Sequence, residues 1–293
     1  MLLSRSTWAA FTALASLLLL NACGGSGSSD APAPAPETPP AEQPAESAAA
    51  PDTGTKIDFV AESSRGKTAM FVPAPSEFQT ALAAADVGTN LGDKLGEEGV
   101  IEGKSKPVVA LETGRRIAGV LLSTKGGTKD VVTSRMKSAR AGLAALGAGE
   151  SVLGDTDKMI ADYEAGTIGN AELPAAMDIL NQSVQKALKD GAGEEIATLV
   201  EAGGWVQGVH LLATVLSEGT ASADATALVH QPSVLTYFTK FIKESSAAKA
   251  GDEDVVIVIG ELDGMATIAA KDALSAEDLK AVATHTSNII ARF

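Results

Sequence analysis

From Ser76 onward, after two short apolar runs at 57–60 and 70–72 that could pair as strands of a ribbon or simply lead in, apolar residues recur every three or four positions, and glycine closes nearly every such run. Val132, Met136, Ala139, Leu143 and Leu146 fall at spacings of four, three, four and three. Leu173, Met177, Leu180, Val184 and Leu188 follow the same rhythm, as do Leu279, Val282, Thr286 and Ile289. A stripe of that period lies on one face of an α-helix and must be buried against a neighbour. Gly126, Gly127, Gly147, Gly166, Gly191, Gly193, Gly219 and Gly251 stand where such helices should stop. The spacing predicts helices over 76–92, 107–124, 129–146, 151–165, 172–190, 194–218, 222–230, 232–247, 254–271 and 275–291. Ser275-Ala-Glu-Asp278 reads as a capping box for the last of them. The segment 255–271 reads as a buried helix, although the five successive β-branched residues at 255–259 also suit a strand.

The fold class that follows is all-α, a multi-helix antiparallel bundle over residues 53–293. A coiled coil fits less well, because the runs are short and glycine interrupts them. With 2 Trp and 2 Tyr, the helices should pack closely through Ala, Leu, Val and Gly.

Residues 23–52 are of another kind. Seven of the twelve prolines lie between Pro32 and Pro51, among alanines, Glu37, Glu42 and Glu46, with no basic residue. Such a linker buries nothing, and it should remain disordered and extended, largely as polyproline II. Its 29 residues after Cys23 could reach about 90 Å at ~3.1 Å per residue.

The amino-terminal segment carries a resemblance. Arg5 precedes an apolar stretch from Trp8 to Leu20, and Leu19-Leu20-Asn21-Ala22-Cys23 ends it on the chain's one cysteine. This resembles the signal peptide and lipobox of bacterial lipoproteins, although Asn21 departs from the usual Ala, Ser, Thr or Val. The resemblance covers residues 1–23 and implies cleavage after residue 22 and diacylation of Cys23. It further implies a palmitate-bearing membrane anchor in the cell envelope. Gly24 takes the place of the Asp that favours inner-membrane retention, so outer-membrane anchorage facing the periplasm is implied. Lipid on Cys23 would leave no thiol for a disulfide, a nucleophile or a metal ligand. Loss of residues 1–22 removes Arg5 alone, leaving 22 basic against 37 acidic side chains and a net charge of −15. An acidic surface disfavours nucleic acid as a partner.

An internal repeat stands out within the helical region. Residues 111–122 align with 200–211 at an offset of 89, with Glu112/Glu201, Gly114/Gly203, Gly119/Gly208, Val120/Val209 and Leu122/Leu211 identical. Gly-Glu-Glu precedes each copy, at 96–98 and 193–195, and the repeats would span about 73–165 and 173–265. A glycine inside a helix costs about 1 kcal/mol relative to alanine. Two shared glycines therefore suggest two similar helical halves, with the copies in close approach across a pseudo-twofold axis. A groove between them, lined by Glu112, Arg115, Arg116, Glu201 and Trp205, is the candidate binding face, since Trp and Arg dominate binding hot spots. The competing reading is a Glu–Arg pair one turn apart plus a core tryptophan.

Other motifs are weaker. Ala61-Glu-Ser-Ser-Arg-Gly-Lys-Thr68 resembles a loosened P-loop but lacks its first glycine, and Pro73 and Pro75 interrupt the helix that should follow. No nucleotide is expected. His210, His230 and His285 are scattered, HExxH and Gly-x-Ser-x-Gly are absent, and Asp252-Glu-Asp254 lacks the spacing of a calcium loop. No cofactor and no metal site are expected. The leading functional expectation is a non-enzymatic, envelope-anchored binding or scaffold module contacting an envelope protein. A periplasmic carrier of an apolar small molecule or lipid, in a cavity between the halves, is the alternative. An unrecognised hydrolase is the third.

Overall fold

The computed structural model describes residues 79–80, 82–83, 91–219 and 222–293. The leader at 1–22, Cys23, the 23–52 linker and the P-loop-like 61–68 lie outside the described residues. So do the possible strands at 57–60 and 70–72. The helices predicted between 107 and 291 are all found, with ends shifted by three residues at most. They are α1 (Lys106–Ser123), α2 (Lys129–Leu146), α3 (Glu150–Ala165), α4 (Leu173–Gly191) and α5 (Glu194–Glu218). After them come α6 (Ala223–Val229), α7 (Pro232–Glu244), α8 (Ser246–Ala250), α9 (Glu253–Ala269) and α10 (Ala276–Ile290). No strand occurs among the described residues. Of the predicted 76–92 helix, Gln79, Thr80, Leu82 and Ala83 are helical, while Leu91–Lys94 tightens into a 3-10 turn.

The expected stops and starts act as the sequence suggests. Gly147, Gly166 and Gly251 take left-handed φ values of 83°, 75° and 74° at the ends of α2, α3 and α8. Ser275 and Asp278 form a complete capping box. Two details depart from expectation. The 232–247 helix breaks at Ser245, whose ψ of 157° ends α7 and whose side chain caps Ala248 N of α8. Glu195 supports the break by accepting from Ser246 N and Oγ. The 255–259 segment is helical but one-faced: Val255, Val258, Leu262 and Met265 are buried, and Val256 is exposed.

Helix α5 is the hub. It buries residues on every side, including Ala197, Val200, Gly203, Trp205 and Leu212, as a helix apolar all round must. It is long and apolar enough to cross a membrane, yet it is mostly buried inside the domain. Helices α1, α4, α6 and α10 pack against it. A second, smaller core lies where α1 to α4 meet, built on Leu121, Val132, Met136, Ile160, Tyr163 and Met177.

The two copies of the internal repeat form the crossing of α1 with α5. A Cβ added to Gly114 would lie 1.8 Å from Val200 O, and one added to Gly203 would lie 1.9 Å from Leu111 O. Leu111 and Val200 are themselves equivalent at the offset of 89, so the two contacts are reciprocal. The second glycine pair behaves differently, with Gly119 facing the Arg135 side chain of α2 and Gly208 lining a cleft. Beyond α1 and α5 the helix lengths diverge, because α2 has 18 residues and α6, the helix after α5, has 7.

Candidate functional site

Close approach at Gly114 and Gly203 leaves no room for side chains, and the space opens on one flank of the crossing. There a cleft of about 110 Å³, with about 920 Å³ of free space out to its mouth, lies between α1, α4, α5 and the end of α6. Its walls are chiefly apolar: Ile117, Ala118 and Leu121 from α1, Met177 from α4, and Val209 and Leu212 from α5. Gly114, Gly204 and Gly208 give it a floor of bare helix backbone. For scale, an engineered apolar cavity of about 150 Å³ takes up benzene.

The polar groups in it are few. Glu201 and Trp205 sit one turn apart on α5, and Gly204 and Gly208 continue the same face. Trp205 is held in place: its Nε1 donates to Gln231 Oε1 at 3.0 Å and its ring packs 5.6 Å from that of Phe238. Gln185 of α4 is buried, and its Oε1 has no hydrogen-bond partner. Asn181 lies one turn before it. Helices α4 and α5 are joined by Ala192 and Gly193 alone and pack as an antiparallel pair. Gln185 and Glu201, seven and eight residues from that turn, therefore lie at the same level.

Burial pushes the Glu201 carboxyl up to about 7; Lys189 opposes the shift and Glu194 adds to it. The folded state thus holds this proton more tightly than the unfolded chain. Stability from it is fully present below pH 4.5 and is lost as pH rises toward 7. At about 1.4 kcal/mol per unit, the loss is roughly 3 kcal/mol at most. Glu201→Gln is expected to raise the melting temperature at pH 8 and to change it little at pH 4.5. Melting curves of the two proteins that stay parallel across this range would contradict the burial of this carboxyl.

Of the five residues nominated from sequence, Glu201 and Trp205 line the cleft, and Glu112, Arg115 and Arg116 do not. The latter three form a buried ion cluster on another side of α1. Glu112 accepts from Arg115 Nη2 at 2.8 Å, Arg116 Nε at 2.9 Å and Gly99 N at 3.0 Å. Arg115 reaches Glu97 O, and Arg116 reaches Gly99 O and Ser138 O. The cluster therefore fastens the 95–99 loop and α2 to α1, and its donors face protein groups. Sequence reasoning missed the α4 contribution, Met177, Asn181 and Gln185. Their spacing of four on the border of the apolar stripe was the available signal.

The histidines join elements. His210 Nδ1 lies 3.1 Å from Thr286 Oγ1 of α10, and His230 Nε2 lies 3.0 Å from Ala269 O. His285 Nδ1 lies 2.6 Å from Glu261 Oε2, which ties α10 to α9. Burial lowers the pKa of His210. Among the described residues no group of three or more His, Cys, Asp or Glu converges as a metal site would. Comparison with known protein families, curated proteins and solved structures finds no match, so the cleft itself is the ground for a functional reading.

Proposed function

We propose that the helical domain binds a small, largely apolar molecule in the cleft between α1, α4, α5 and α6, without transforming it. In this reading the protein is a carrier or sensor, held at the envelope through lipid on Cys23. The observation that supports it is the cleft: apolar walls around a glycine floor, with one oriented tryptophan and a short polar edge. Binding sites for small molecules have this composition. A scaffold role would call for a continuous exposed apolar patch. Among the described residues the exposed large apolar side chains are single and scattered: Val100 before α1, Val131 on α2, Ile179 on α4 and Val256 on α9.

The sequence supplies its own reporter. Its two tryptophans are Trp8 and Trp205, so in the full chain carrying Trp8→Phe the emission comes from the cleft wall alone. Titration with C6 alcohols and aromatic hydrocarbons is expected to shift or quench that emission saturably. Ala118→Phe fills the cleft from its partly exposed α1 wall and is expected to weaken binding at least tenfold while the melting temperature holds. Saturable binding that Ala118→Phe leaves untouched would remove the cleft as the site.

A further inference from the structure

We propose that the cleft selects an amine: a primary or secondary ammonium group on an apolar body, with the ammonium held by Glu201 and Gln185 against the face of Trp205. This rests on the cleft being a ligand site and names the chemistry that the site recognises.

The unmatched groups in the cleft accept hydrogen bonds. Gln185 Oε1 is buried without a donor. The Glu201 carboxylate has neither a hydrogen bond nor an ion pair among the described residues, although Lys189 lies near enough to attract it. A buried acceptor left unpaired costs about 1–3 kcal/mol, so Gln185 gains by turning its Oε1 toward a ligand that brings N–H groups. Trp205 has committed its N–H to Gln231, so what remains for a ligand is its π system, which attracts a cation, most strongly where water is excluded. Among the described residues no Lys, Arg or His lines the cleft, so a carboxylate or phosphate would enter without a counter-charge and beside Glu201. An ammonium group meets the opposite situation, and the acidic chain around it adds long-range attraction.

Among the described residues the charged and titratable groups that bear on Glu201 are Lys189 of α4, Glu194 of α5 and Tyr237 of α7. Lys189 competes with a bound ammonium for the same carboxylate, so Lys189→Met is expected to tighten amine binding. Below about pH 7 Glu201 increasingly keeps its proton, and the selection for a cation should fade.

The test compares hexylamine, 1-hexanol and hexanoate, three probes of equal apolar length, by Trp205 emission in the full chain with Trp8→Phe. At pH 8 hexylamine is expected to bind about ten- to a hundredfold more tightly than hexanol, the size of a charge-assisted hydrogen bond. Hexanoate should bind more weakly than either. Glu201→Gln should abolish the preference for hexylamine, and at pH 5.5 the preference should shrink in the parent chain. Equal affinity for hexylamine and hexanol would overturn the amine assignment while leaving the apolar cleft standing. Failure of all three to bind would overturn both. Retention of the preference in Glu201→Gln would also overturn the assignment, by removing the group that creates it.

Discussion

Gly114→Ala is expected to cost about 3 kcal/mol or more of stability, and Gly203→Ala a similar amount, on the scale of severe overpacking. The new methyl would sit 1.8 Å from Val200 O in the first case and 1.9 Å from Leu111 O in the second. Both obstacles are helix backbone, which cannot rotate aside as a side chain does, so α1 and α5 must separate along their crossing. The gain in helix propensity, about 1 kcal/mol, offsets only part of this. Gly154 of α3 and Gly260 of α9 provide the contrast, because an added Cβ at either meets nothing within 4 Å. There the same substitution should stabilise by about 0.5–1 kcal/mol. Urea denaturation of the four variants checks the pattern. A Gly114→Ala protein as stable as Gly154→Ala would refute the close crossing.

Glu112→Gln should be at least as damaging, at about 3–5 kcal/mol, because it strips the counter-charge from two buried guanidinium groups. Arg115 and Arg116 would remain buried together, with backbone carbonyls as their chief support. The loop at 95–99 should loosen at the same time, since the Gly99 amide loses its carboxylate acceptor. Hydrogen exchange at that amide, measured beside the denaturation midpoint, separates local loosening from global loss. Replacing all three members by apolar residues of similar volume should recover much of the stability, as it can when the removed charges were costly to bury. If the single substitution costs under 1 kcal/mol, the cluster is more hydrated than its geometry indicates.

The helices were legible in the sequence because their signals are local. Period, caps and glycine stops all act within a few residues, and the stripe at 132, 136, 139, 143 and 146 is buried along its whole length. The break at Ser245 was less so, since Glu195, fifty-one residues away from Ser246, helps to hold it. The candidate site divides along the same line. Glu201 and Trp205 could be placed on one face of α5, and that face does line the cleft. Glu112, Arg115 and Arg116 share a face too, but which neighbour covers it depends on where the 95–99 loop returns, and no periodicity records that. The shared glycines indicated close approach. Only the fold distinguishes Gly114 and Gly203, which approach helix backbone, from Gly208, which lines the cleft.

The crossing of α1 with α5 also sets a clock. Its two sides are 89 residues apart in the chain, and a ribosome adds about 5–20 residues per second. Several seconds therefore separate the emergence of the two partners. During that interval α1 to α4 can gather around their own small core, but the notch at Gly114 faces an absent helix and the apolar flank of α1 stays wet. Nothing in the first four helices can complete the domain early, because α5 and the helices α6 and α10 that pack on it have still to emerge. A chain halted after Gly191 should therefore behave as a sticky intermediate rather than a smaller stable protein, and the whole domain should melt in one step once complete.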